Sequence, residues 1–255
     1  MMKTSKRAAS FLLALLMLWS VSLSAFAAVS EDTLANAVTD TAQYMYKTVA
    51  EPQVGSIGGE WAVLGLARSG YAVPDKYYQD YYATVEKYVK DCGGKLHDKK
   101  YTEYSRVIVA LSSIGKDARN VAGYDLTTAL GDYDKTIWQG LNGPIWALIA
   151  LDSRDYPMPE NKEAATQATR QMYVDRILEC QLSDGGWSLF GGTAAASAGD
   201  KTSDPDITGM ALQALAKYQD QPAVAKATSE ALDCMSKQQN SQGGYSSWGT
   251  ENSES

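Results

Sequence analysis

Four short apolar segments punctuate this chain: 62–67 (AVLGLA), 106–111 (RVIVAL), 146–151 (WALIAL) and 210–215 (MALQAL). The first three recur at nearly even steps, and the last step is lengthened by a Gly-, Ala- and Ser-rich loop over 185–202. Longer stretches with helical apolar spacing lie between them. A period of about 40 residues, made of an amphipathic helix, a Gly-containing turn and a short apolar helix, indicates stacked helical hairpins. No hairpin of this kind buries its apolar face alone, so the chain is committed to side-by-side stacking.

The local signals agree with that reading. Ser30 can cap a helix carrying Leu34, Val38, Met45 and Val49, which Pro52 ends. The segment 61–67 is apolar on nearly every side, the mark of a buried helix. Pro74 opens a helix over 75–90 with Tyr77, Tyr81, Val85 and Val89 on one face. Further helices are expected over 104–114, from the Asp125 cap to Gln139, and over 145–151, 160–181, 205–218 and 222–239. No run alternates apolar and polar residues as a strand does.

A second repeat is sharper. Gln181-Leu-Ser-Asp-Gly-Gly-Trp187 matches Gln239-Asn-Ser-Gln-Gly-Gly-Tyr245, each at the end of an amphipathic helix. The glutamine amide is expected to bond the last carbonyls of its own helix. Gly185 and Gly243 permit a tight turn, and Trp187 and Tyr245 stack on the amide or the next helix. These six residues read as structural.

The start of the chain reads as an export signal. Lys3, Lys6 and Arg7 precede an apolar run over 11–18, and Ser24-Ala-Phe-Ala27 offers a small-residue cleavage site after Ala27. No cysteine follows the site, so lipid attachment there is not expected. No other stretch is long enough to span a membrane. Cleavage after Ala27 removes three basic and no acidic side chains. The balance of 23 basic against 30 acidic becomes 20 against 30, so the net charge goes from −7 to −10. That acidity argues against nucleic-acid binding and against attraction to anionic lipid. Cys92, Cys180 and Cys234 are too few for a disulfide framework, leaving one bridge possible.

Gln181…Gly185-Gly186-Trp187, followed by Ser203-Asp-Pro-Asp-Ile-Thr208 and the ALQAL helix, resembles the Gln-Trp repeat of squalene and oxidosqualene cyclases. Relatives of these include protein prenyltransferase β-subunits and transcobalamin-type cobalamin carriers. The segment from Gly143 to Leu151 looks like exported Gram-positive proteins with the same repeats. The resemblance covers 31–255. It implies an all-α fold of α/α-toroid type, with short inner helices around a cavity and longer outer helices outside. Domain organisation is then a signal peptide at 1–27 and a toroid repeat domain at 28–255. Four inner segments fall short of a closed ring in that family. Asn252-Ser-Glu-Ser255 reads as the cap of a fifth, so the ring is expected to be incomplete at its C-terminus.

Within that resemblance, Asp204 and Asp206 match part of the Asp-x-Asp-Asp acid motif of class II terpene cyclases, Asp206 aligning with the proton donor. Ile207 replaces the last aspartate. Such a donor needs a raised pKa, whereas Asp-Pro-Asp at a helix start favours capping and an ionised carboxylate. Zinc-dependent prenyl transfer needs an Asp, Cys and His cluster. The single histidine, His97, sits in a Lys-rich loop, and Asp91-Cys92 lacks the family's intervening residue. No metal site and no cofactor are expected. Glu60 with Asp206 is a candidate carboxylate pair for glycoside cleavage, and Asp132 and Asp134 for a calcium contact, both set against ordinary capping. The thioester context of complement-type relatives is absent around all three cysteines. Trp61, Tyr104 and Trp146, on or near inner helices, are the candidate lining of a ligand cavity. The Tyr77, Tyr78, Tyr81, Tyr82 and Tyr88 face is too wide for one buried stripe.

The combined reading is a secreted or surface-attached noncatalytic module that binds an apolar or amphipathic small molecule, cobalamin-carrier-like or isoprenoid-like, or a protein partner. The alternatives are a class II terpene cyclase-like enzyme with a degenerate Asp motif and a carbohydrate-active enzyme on the same architecture.

Overall fold

Helix α1, Glu31–Thr48, starts where Ser30 Oγ accepts from the Thr33 amide at 3.1 Å, with Glu31 and Asp32 at the positive end of its dipole. It belongs to a computed structural model that describes residues 30–55, 58–191, 202–247 and 250–252. The export signal, positions 192–201 of the long loop, Trp248 and positions 253–255 lie outside the described residues.

The chain continues as α2 (Glu60–Arg68), α3 (Asp75–Asp91) and α4 (Thr102–Ser113). A 3-10 helix, Leu126–Gly131, then leads into α5 (Tyr133–Ile137) and α6 (Asn142–Asp152). Next come α7 (Arg170–Glu179), α8 (Pro205–Leu215) and α9 (Pro222–Gln238). The four apolar segments lie on α2, α4, α6 and α8, and each of these helices packs on the next. Around this row, α1 lies on α2, α7 on α6, α9 on α8, and α9 also meets α7. The fold is all-α in character, as the periodicity requires.

One continuous apolar core runs through the row. Helix α6 is covered on nearly every side: Gly143, Pro144, Ile145, Ala147, Leu148, Ala150 and Leu151 are buried. Its start presses on α5 so closely that a Cβ on Gly143 would stand 1.8 Å from the Thr136 carbonyl oxygen. Helix α3 buries Tyr77, Tyr81, Val85 and Val89, the expected stripe. Tyr78 and Tyr82 are half-buried and Tyr88 is exposed, so the wide tyrosine face divides as its width requires.

Several local expectations are corrected. Helix α2 is not buried all round: Ala62, Val63 and Leu66 face the core, while Trp61 is 39% exposed. It stands at one end of the row, where α1 leaves an apolar groove of about 440 Å³ along Val38, Met45 and Gly65. The helix expected over 160–181 starts only at Arg170, capped by Thr169 Oγ1. Upstream of it, tertiary backbone bonds (Tyr133 N to Thr166 O, Ala168 N to Gly131 O) hold the chain extended against α5 and override local helical spacing. The stretch after Asp125 is broken at Asp132, which caps α5 by accepting from the Lys135 amide. A strand pair also exists: β1 (Tyr245–Ser247) and β2 (Thr250–Asn252) are antiparallel, so Asn252 lies in a strand rather than capping a fifth inner helix.

The two Gln-Gly-Gly turns share one geometry. Gln181 Nε2 donates to the Gly185 carbonyl at 2.7 Å, and Gln239 Nε2 to the Gly243 carbonyl at 2.8 Å. The amides thus close the turns and do not cap the preceding helix as expected. Gly185 and Gly243 have φ of 96° and 89°, a region that favours glycine. The turns differ in reach. Gln181 also donates to the Ala227 carbonyl of α9 at 2.9 Å, and Trp187 is fully buried with Nε1 on the Ile177 carbonyl. Tyr245 is half-buried in β1.

Gln181→Ala is therefore expected to cost about 1–3 kcal/mol, because it strips a donor from two carbonyls and unties α9 from the turn. Gln239→Ala, in a more exposed turn, is expected to cost about 0.5 kcal/mol. Urea denaturation of both variants checks the order, and equal losses would contradict the bridging role.

Candidate functional site

The repeat register builds the site. Arg106 and Trp146 occupy the same aligned position on α4 and α6, and Trp61 lies one position before it on α2. Stacking the helices therefore sets these side chains at one level, near the amino ends of the row. Together with Thr102 and Asn142 they line a cavity of about 120 Å³. The Trp61 and Trp146 rings are in contact, with centroids 5.0 Å apart and planes tilted by 51°. Of the three residues expected to line a cavity, Trp61 and Trp146 are thus brought together. Tyr104 is not with them: it is buried in the core beside Tyr101, with ring centroids 5.2 Å apart.

An ion network fixes the cavity floor. Glu60, the first residue of α2, is fully buried. Its Oε1 accepts from the Gly55 amide at 2.8 Å, and its Oε2 lies 3.2 Å from Arg106 Nε. The second contact is charge on charge without hydrogen-bond alignment. Arg106 Nη2 also donates to Glu103 Oε2. The Tyr81 hydroxyl, close enough to feel both charges, and Ser105 Oγ are buried without a hydrogen-bond partner. Burial first, and the nearby Glu60 carboxylate second, push the Tyr81 hydroxyl well above the ordinary phenol range. The network carries two carboxylates against one guanidinium.

Two exposed aromatic residues sit on segments tied to the starts of α4 and α6. Gln139 Oε1 accepts from Thr102 N and Oγ1 at 3.2 and 3.0 Å, which holds the end of the α5 segment against the start of α4. The preceding residue, Trp138, is 59% exposed, with Lys99 Nζ 5.7 Å over its ring. The Leu141 amide donates to the Leu189 carbonyl at 2.9 Å, which brings Phe190, 50% exposed, alongside.

The other sequence candidates lie elsewhere. Asp204 caps α8: its Oδ1 accepts from the Asp206 and Ile207 amides at 2.9 and 3.0 Å, with Pro205 in the first turn. Neither Asp204 nor Asp206 lines the cavity. Glu60 is a structural carboxylate, closed off from the mouth. His97 Nδ1 accepts from the Lys99 and Lys100 amides, so the imidazole shapes its own loop. Asp132 is buried, caps α5 and pairs with Lys135. Cys92, Cys180 and Cys234 are all unpaired. No protein-family model, curated protein or solved structure matches the chain.

Sequence reasoning missed Arg106, Thr102 and Asn142 as lining residues, and did not single out Trp138 and Phe190 on the segments tied nearby. For Arg106 a signal existed: a charged residue at the head of an otherwise apolar repeat segment, in register with Trp146. Phe190 and Trp138 carry no such signal, because long-range backbone and side-chain bonds place them.

Removing Arg106 orphans Glu60. Arg106→Met is expected to cost about 3–5 kcal/mol, the usual penalty for an uncompensated buried charge. The double variant Glu60→Gln/Arg106→Met keeps the acceptor for Gly55 and removes the charge, so it is expected to regain most of that loss. Urea midpoints of the two variants check this, and a double variant no more stable than the single would contradict it.

Proposed function

We propose that this chain is an exported, noncatalytic helical-repeat module of α/α-toroid type that binds an amphipathic small ligand at the cavity lined by Trp61, Trp146, Arg106, Thr102 and Asn142. The observation that carries the reading is the paired indoles at an open mouth, beside a neutralised guanidinium and an amide. Apolar walls with a few fixed polar groups are the usual makeup of small-molecule sites. Covering the exposed Trp61 and the half-buried Trp146 with a ligand removes apolar surface from water.

The chemistry around the other candidates supports binding over turnover. The Asp204 carboxylate is engaged by the Asp206 and Ile207 amides at the start of α8, away from the cavity, which is a capping role. Glu60 is fully buried, held by Gly55 and Arg106, and does not line the cavity, so it is out of reach of a bound sugar or alkene. The stacked apolar helices and the two Gln-Gly-Gly turns support the toroid assignment, and the basic, apolar, small-residue start supports export with cleavage after Ala27. A cobalamin-carrier-like role falls within this reading.

Native mass spectrometry of the full-length protein purified from its own cells tests it. The expected result is a mature chain beginning at Ala28 with a retained small molecule. Trp61→Ala and Trp146→Ala are each expected to weaken that retention about tenfold, as truncated aromatic anchors do. A ligand-free protein that turns over an isoprenoid would overturn the reading.

A further inference from the structure

We infer that the ligand class is a neutral glycan, with one gluco-configured pyranose ring seated on Trp61 and Trp146 and neighbouring rings on Trp138 and Phe190. This rests on the cavity being a ligand site, and it names what the site takes.

Three features of the site select that chemistry. The first is shape. The two indoles touch each other at a tilt of 51°, so no ring fits between them, and a ligand lies in the cavity against one indole face with the other indole at its edge. A pyranose with equatorial substituents presents such a partner: a flat face of axial C–H bonds that sits on a π surface, ringed by hydroxyls. A cavity of about 120 Å³ is of the size of one such ring.

The second is charge. Glu60 and Glu103 against Arg106 leave the network net negative, which opposes an anion. A cation would meet Arg106 in the cavity wall. A purely apolar ring would leave Arg106 and Asn142 desolvated without compensation. Neutral hydroxyls suit all of them. Asn142 Oδ1 is buried with no donor, and a turn about its terminal side-chain bond offers it to a ligand O–H. Thr102 and the Glu103 carboxylate offer further polar atoms around the same mouth.

The third is extent. Among the exposed large apolar side chains, Trp61, Trp138 and Phe190 are tied to the same end of α4 and α6, through Gln139 to Thr102 and Leu189 to Leu141. Exposed aromatics on segments tied to the same helix ends, outside a cavity of one ring's size, suit a chain of rings better than a single compact ligand.

The test is isothermal titration of the mature-length protein with methyl β-D-glucopyranoside, cellohexaose, maltohexaose and chitohexaose. A parallel titration uses 8-anilinonaphthalene-1-sulfonate as an apolar probe. Variants Trp61→Ala, Trp146→Ala, Trp138→Ala and Phe190→Ala are checked for native circular dichroism. Tyr44→Ala, an exposed aromatic on α1, serves as control. The expected result is that at least one hexasaccharide binds more tightly than the monosaccharide. Trp61→Ala or Trp146→Ala weakens both about tenfold, as for a truncated aromatic anchor. Trp138→Ala and Phe190→Ala weaken the hexasaccharide alone, and Tyr44→Ala changes neither. If the apolar probe binds and depends on Trp61 while no sugar binds, the glycan assignment fails and the ligand site stands. If neither probe nor sugar depends on Trp61 or Trp146, both fail. If a hexasaccharide binds with full affinity in the Trp61 and Trp146 variants, the placement is wrong.

Discussion

Everything in this structure leans on the stacking of α2, α4, α6 and α8. Each helix is too short and too apolar to stand in water, and each finds cover only on its neighbours. Helix α6 shows the constraint in its strongest form. It is walled by α4, α8, α5 and α7, and its start approaches α5 so closely that only glycine fits at 143. The outer helices then need only one apolar stripe apiece. Tyr77, Tyr81, Val85 and Val89 on α3 are such a stripe. The Gln181 amide adds a polar stitch between the turn after α7 and the interior of α9.

The same stacking produces the site as a by-product of register. Side chains at one repeat position come to one level when the helices stand side by side. Trp61, Arg106 and Trp146 therefore meet, although each comes from a different repeat and lies far from the others along the chain. The buried Glu60 carboxylate makes this arrangement hold. It ties the α2 start to Gly55 on one side and to Arg106 of α4 on the other. A charged group in that position is expensive to bury, and its counter-ion lies on a neighbouring repeat. The pair therefore joins the start of α2 to α4, and a shift of one helix against the other would leave the Glu60 carboxylate buried without its counter-ion.

Where the sequence misled, a tertiary contact took over from local spacing. The stretch between Glu160 and Thr169 carries helical spacing, yet Gln167 bonds Asn161 and Pro159, and the backbone of Thr166 and Ala168 pairs with the start of α5. Tyr104 and Trp146 looked alike in sequence, both aromatic residues near the head of an inner helix. Tyr104 points into the core and Trp146 lines the mouth. One helical position turns a side chain by about 100 degrees, and only the neighbours decide whether that turn meets core or solvent.

The sequence by itself determined the parts with local causes. The helices follow from apolar periodicity, the starts at Ser30, Asp125 and Asp204 from their capping side chains, and the two turns from Gln-x-Ser-x-Gly-Gly. Each of these depends on groups close together in the chain, so the chain carries them wherever it goes. The tertiary structure decided what lies open. It left one side of α2 and the ring of Trp61 uncovered, buried Glu60 instead of offering it, and tied the segments of Trp138 and Phe190 to the starts of α4 and α6. Those outcomes depend on which surfaces remain after the helices stack, and no local pattern encodes a surface that a distant segment covers or leaves bare.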